Sequence, residues 1–177
     1  MDIDFESYIR GSEPDKKEKA SAWKTAIGLQ AVDGLQTSDY LKDTAVKHIE
    51  GDISIDEVKK LINGYYQSKT ARTLQDEETE EADKVSANIA RILNEQSFAF
   101  SVAGFTSIHR RLFEEIFKFA GKIRDYDITK KEWVLRGDTV LYVNSEDLRR
   151  ALEYDLEQEK TFSYQGLSMD DVVVHIA

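Results

Sequence analysis

Three histidines, His48, His109 and His175, are the side chains of this sequence best suited to carry a proton near neutral pH. They lie far apart along the chain, and none has a ligand-type neighbour at helical spacing, so they suggest neither a base-catalysis pair nor a zinc site. His109 leads into Arg110-Arg111 on an amphipathic stretch and reads as a half-exposed structural histidine. Glu114 and Glu115 are adjacent, and adjacent helical residues point about 100° apart, which rules out joint acid/base work. The acidic run Asp76-Glu77-Glu78-Thr79-Glu80-Glu81 offers cation ligands, but it sits where a helix start favours negative charge and reads as a solvated first turn. Arg136-Gly137-Asp138 is the tripeptide of adhesion ligands, set here in an acidic chain with no cysteine. The sequence has no G-x-x-x-x-G-K-[ST], no G-x-G-x-x-G and no H-E-x-x-H. Residue chemistry alone therefore names no catalytic residue and no metal ligand set.

The composition narrows the partners. A chain of 177 residues, 41% of them apolar, can bury a core as one domain, or as one domain with a small helical appendage. A net charge of −10 argues against nucleic acid and against an anionic membrane surface. Without cysteine there is no disulfide framework and no thiolate nucleophile. The start, Met1-Asp2-Ile3-Asp4-Phe5-Glu6, lacks the basic-then-apolar profile of a signal peptide, and apolar runs are only a few residues long. The expected compartment is the cytoplasm.

The elements that would position any site read mostly helical. Residues Met1–Lys19 are polar and charged and are expected to form a flexible arm. A helix is expected from about Ala20 to Val32, with Trp23, Ile27 and Gln30 on one side and Gly34 ending it. A second opens at Thr37-Ser38, carries Leu41, Ala45 and Ile49, and closes at Gly51. A third has the capping box Ser54-x-x-Glu57 followed by Val58, Leu61, Ile62 and Tyr65. Short turns make these three one antiparallel bundle over residues 20–66, separated from the rest by a polar joint at Gln67–Thr73. A fourth helix follows with Val85, Ile89 and Ile92 on one face, and a fifth spans about Thr106–Ala120 with Ile108, Leu112, Ile116 and Phe119 inward. Trp133-Val134-Leu135 and Val140-Leu141-Tyr142 flank a Gly-containing turn and predict a β-hairpin. Ser145 then caps a helix with Leu148, Leu152 and Leu156, and Ser168 with Asp171 starts a last, apolar one.

The run Ile108-His109-Arg110-Arg111-Leu112-Phe113, continued by Phe119-Ala120-Gly121-Lys122-Ile123-Arg124, resembles the "IHxxLF…FAGxxR" lead helix of the Fic domain. In that family the pattern runs into a hairpin called the flap, here expected at Trp133–Tyr142. Gly28-Leu29-Gln30-Ala31-Val32-Asp33-Gly34-Leu35, and then Glu50 to Val58, are similar to the VbhA-type antitoxin fold that precedes some Fic domains. The resemblance implies an all-α, Fic-like helical domain over 74–177 with one hairpin, plus the small N-terminal three-helix bundle. It implies the nucleotidyltransferase reaction of the family, AMP transfer from ATP to a target-protein hydroxyl, with ATP and Mg²⁺ as cofactors, and the toxin–antitoxin setting in which such bundles restrain such domains. Docking of the target by strand addition would then fall to Gly137, Asp138, Thr139, Val140, Leu141 and Tyr142.

The sequence departs from the family at two places. The loop H-x-F-x-[DE]-G-N-x-R, which supplies base, metal ligand and phosphate-binding arginine, is missing: no histidine has Phe at +2, and there is no Gly-Asn dipeptide. The inhibitory pattern [ST]-x-x-x-E-[GN] is replaced by Leu29 at the Ser/Thr place and Asp33 at the Glu place, before Gly34. The expectation is a Fic-family chain without activity of its own, whether truncated, a fragment or degenerate, whose partner is a target protein on the flap or a complementary Fic fragment or subunit. A non-catalytic interaction or regulatory module is the alternative, and a plain helical structural protein a third.

Overall fold

The computed structural model describes residue 3 and residues 5–69, 73–95, 98–131 and 139–176. Among the described residues the chain forms helices α1 (Phe5–Gly11), α2 (Pro14–Val32), α3 (Asp39–Glu50), α4 (Ile55–Gln67), α5 (Leu74–Leu93) and α6 (Val102–Phe113). Strands β1 (Thr129–Lys131) and β2 (Thr139–Leu141) follow, then α7 (Ser145–Thr161) and α8 (Met169–Ile176). The all-α expectation with one hairpin holds at this level.

The N-terminal arm expected over Met1–Lys19 is instead helical in α1 and from Pro14 onward. Pro14 sits in the first turn of α2, where its missing N–H costs nothing. Phe5, Tyr8 and Ile9 recur at helical spacing and pack against the core. Tyr8 and Lys16 both donate to the Glu50 carboxylate, and Lys24 pairs with Glu6, so α1 is tied to α2 and α3 by side chains as well as by packing.

The caps explain the next elements. Ser38 Oγ accepts from Leu41 N at 3.0 Å to open α3, and Gly51 closes it at φ +88°, a left-handed conformation that suits glycine. Ser54 and Glu57 form the expected capping box of α4. Thr73 and Asp76 form another at the start of α5, which begins just before the acidic run. Residues 70–72 of the polar joint lie outside the described residues.

The described chain falls into two compact units. The first comprises Met1–Ser97 and Ile108–Gly121, so α5 belongs with the bundle rather than beginning a new body after the polar joint. The reason is the buried face of α5, where Ala87 and Ala90 meet a cluster made by Trp23, Ala26, Leu41, Ala45, Ile49, Val58, Ile62 and Tyr66. Trp23 is fully buried, and truncating it to Ala would cost about 3–5 kcal/mol. Helix α6 starts and stops earlier than expected. Ser101 Oγ accepts from Gly104 N at 3.0 Å at its start, and Glu115 at φ +64° lies in the turns beyond its end. Ile108, Leu112 and Ile116 are half-buried, whereas Phe119 is exposed, because the helical repeat has ended before it.

The second unit comprises Phe98–Ser107 and Lys122–Ala177 and contains the hairpin, α7 and α8. α7 follows Asn144 as its N-cap position, not Ser145, while Ser168 and Asp171 cap α8 reciprocally as expected. Leu148, Leu152 and Leu156 are half-buried, and neither α7 nor α8 has a fully buried residue among those described. No helix of the described residues is long and apolar enough to cross a membrane.

Candidate functional site

The hairpin is antiparallel, with Thr129 opposite Leu141, Lys130 opposite Val140 and Lys131 opposite Thr139. Among the described residues the strand paired with β2 is Thr129–Lys131, while the Trp133–Leu135 segment expected there lies outside the described residues. Gly137 and Asp138 of the expected docking set lie outside the described residues, as do Trp133, Val134, Leu135 and Arg136. Thr139 is exposed, Val140 half-buried and Tyr142 exposed. Among the described residues the sheet has two strands, so β2 has one edge paired with β1 and a second edge with no strand on it. Such an edge presents backbone N–H and C=O groups to an incoming strand.

Two side chains from the run after Gly121 hold the base of this hairpin. Arg124 donates to Tyr126 O at 2.6 Å and also to Val143 O, bridging the residues that precede β1 and follow β2. Asp127 Oδ1 accepts from Ser145 N at 2.7 Å, which satisfies an orphan amide at the start of α7. That bond and the Arg124 charge hold the Asp127 carboxyl below the usual carboxylate range. Reading the sequence placed Arg124 in a family pattern but gave it no task; its clamp on the hairpin is visible only once the strands are paired.

The other candidate element is the end of α2. Asp33 is the C-cap residue, and Gly34 follows at φ +78°. Leu35 N donates to Gln30 O at 2.9 Å and Gly34 N to Ala31 O at 3.1 Å, the paired bonds of a Schellman motif. A side chain at Gly34 would strain that left-handed position, so the motif fixes where Asp33 stands. Leu29, Val32 and Asp33, at i, i+3 and i+4, are all exposed. The Asp33 carboxylate has no side-chain partner among the described residues.

The histidines are placed by structure rather than chemistry. His48 is buried and accepts from Trp23. His109 Nδ1 accepts from Gly121 N at 2.8 Å, in agreement with its structural reading. His175 stacks on Phe162 at 3.7 Å and contacts Glu159 Oε2 at 2.8 Å. Sequence reasoning missed Asp83, a buried carboxylate that accepts from Ser38 N at 2.8 Å and from Tyr66 OH at 2.7 Å.

The base, metal carboxylate, anion nest and arginine of the loop H-x-F-x-[DE]-G-N-x-R are not in this sequence. Among the described residues there is no group of three acidic, histidine or cysteine side chains placed to hold a metal ion.

The chain matches no family model, no curated protein and no solved structure.

Proposed function

We propose that this chain is the docking and restraining part of a Fic-type protein adenylyltransferase, and that its own residues do not transfer AMP. The hairpin receives a target segment by strand addition on the second edge of β2. The end of α2 presents Asp33 to the phosphate-binding arginine of a catalytic motif carried by a Fic subunit or fragment, in the manner of VbhA-type bundles.

The observation that carries this reading is the hairpin that follows the FAGxxR-like run, with its base held by Arg124 and, among the described residues, one edge of β2 without a strand. Exposed Asp33, which has no side-chain partner among the described residues and stands ahead of a glycine-dependent helix end, supports the restraining role. Asp is one methylene shorter than the Glu of the resembled pattern, so it keeps the charge and gives up reach.

The test has two parts. The chain is incubated alone with Mg·ATP labelled on the α-phosphate, with and without a cell lysate, and no label is expected on any protein. It is then mixed with an active Fic catalytic module, whose AMP transfer is expected to fall, and Asp33→Ala is expected to relieve that fall. Labelling by the chain alone overturns the non-catalytic part. Unchanged transfer by the module, or inhibition indifferent to Asp33→Ala, overturns the restraining part.

A further inference from the structure

We propose that the groove between α7, α8 and residues 100–105 is a docking site for a basic amphipathic helix of another protein, a surface separate from the hairpin edge and from Asp33. The groove is lined by Leu152 and Leu156 of α7, Ile176 of α8, and Phe100, Phe105 and Tyr164 beside them, and has a volume of about 640 Å³. Leu152 and Leu156 are half-buried, whereas Phe100, Phe105, Tyr164 and Ile176 are exposed. All six belong to the second compact unit. The α8 wall is held in place by His175, which stacks on Phe162 at 3.7 Å and meets Glu159 Oε2 of α7 at 2.8 Å. A concave apolar patch rimmed by polar groups marks an interaction surface.

Charge selects the occupant. Asp155 and Glu159 line the groove, and Glu153, Glu157 and Lys160 line a recess that shares Phe100 and Leu156 with it. Lys160 pairs with Glu157 and Arg149 with Glu153, while Asp155 has no ion-pair partner among the described residues. A second copy of the chain brings the wrong sign: it carries a net charge of −10, and the first turn of its apolar α8 holds Asp170 and Asp171. An anionic lipid surface is repelled in the same way. A partner with Lys or Arg beside its apolar residues covers the groove and meets the carboxylates together.

Shape selects a helix. Leu152 and Leu156 stand one turn apart on α7, a ridge that a second helix matches with residues at i, i+3, i+4 and i+7. The helical walls have their backbone N–H and C=O groups bonded internally, so the groove offers side chains and no ladder to an extended peptide. An incoming helix likewise brings a backbone that is already satisfied.

The experiment uses the full chain and a fluorescein-labelled peptide of about four helical turns, built from leucine and lysine with leucine along one face. Saturable one-to-one binding is expected at low ionic strength, with NMR shifts of the Leu152 and Leu156 methyls. The same peptide with glutamate in place of lysine is expected not to bind. Asp155→Lys combined with Glu157→Lys, both at exposed positions, is expected to weaken binding by about fivefold or more. Asp43→Lys combined with Asp52→Lys, exposed in the first unit, is expected to leave binding unchanged. No binding, equal binding of the glutamate peptide, or equal losses in the two double variants overturns the proposal, as do methyl shifts that spare Leu152 and Leu156. A molar mass that doubles with concentration and falls back in Phe105→Ser would make a second copy the occupant and overturn it too. If the α7 double variant does not fold, the peptide pair and the methyl shifts of the unaltered chain decide.

Discussion

Trp23 Nε1 donates a hydrogen bond to His48 Nδ1 at 3.0 Å inside the helical core, with the two rings edge to face at 6.1 Å. An indole N–H can only donate, so His48 is the neutral tautomer with its proton on Nε2. Burial pushes the His48 pKa below its usual value, and the Lys19 charge adds to the effect while Asp15 opposes it. The sign follows directly. Below about pH 6.5 the unfolded chain takes up a proton that the folded core resists, so stability is full above that pH and falls as pH drops toward the lower folded value. His48→Phe is expected to flatten this slope between about pH 7 and pH 5 in urea unfolding, and to cost about 1–3 kcal/mol at pH 7 for the stranded indole N–H. An unchanged slope would remove His48 from the account.

The Asp83 carboxylate gathers Ser38 of the α3 cap and Tyr66 of α4 onto α5. Burial raises the Asp83 pKa against the lowering effect of these bonds, and burial with the neighbouring carboxylate holds the Tyr66 phenol well above its usual range. Tyr66→Phe is expected to destabilise by about 1.5–3 kcal/mol, as befits a hydrogen bond to a charged group. Asp83→Ala should cost more than Tyr66→Phe, since it strands the Ser38 amide as well. Equal losses in thermal unfolding would show that the tyrosine bond alone matters.

Two glycines are expected to respond in opposite directions. A Cβ on Gly104 would stand 2.1 Å from Ala99 O, a backbone atom that cannot swing aside, so Gly104→Ala should destabilise by about 1–3 kcal/mol. A Cβ on Gly28, inside α2, meets nothing within 4 Å, so Gly28→Ala should stabilise by about 0.5–1 kcal/mol. Both are read by denaturant midpoints, and a gain from Gly104→Ala would refute the close approach.

The hairpin base offers a readout without any partner. Arg124→Ala is expected to speed amide hydrogen exchange across Thr139–Leu141 and Thr129–Lys131 while leaving exchange in α3 and α4 unchanged. Unaltered exchange in the strands would mean that the ladder holds without the guanidinium.

What the sequence makes legible here is what short-range chemistry decides. Ser38, Ser54 with Glu57, Ser168 with Asp171, Gly34 and Gly51 each stop or start a helix through bonds to their near neighbours. What stays hidden depends on partners far along the chain. Residues 1–19 look like a polar arm until Tyr8 and Lys16 find Glu50. Thr129-Lys130-Lys131 has no apolar alternation and becomes a strand only opposite Thr139–Leu141. Asp83 reads as one more charge of an acidic helix, and its burial follows from Ser38 and Tyr66. The docking residues fared unevenly for the same reason: β2 is a strand as expected, and the base of its hairpin with Thr129–Lys131 is closed by Arg124 on Val143 O and Asp127 on Ser145 N, bonds that sequence spacing does not reveal.

The packing of α5 on α2 has a kinetic side. α2, α3 and α4 are joined by residues 33–38 and 51–54, so their contacts close short loops at small entropic expense. The α2–α5 interface joins segments far apart in sequence, and it cannot reward the chain until a much longer loop has closed. We predict a nucleus within α2–α4 to which α5 adds after the rate-limiting step. Val58→Ala should then slow refolding, whereas Ala90→Gly should leave refolding nearly untouched and speed unfolding. A chevron in which Ala90→Gly depresses the refolding arm would place α5 inside the nucleus. On the expected outcome, the helix that completes the core is also the first to leave it, and the docking equilibrium of α5 on α2 scales the rate at which the native state is lost.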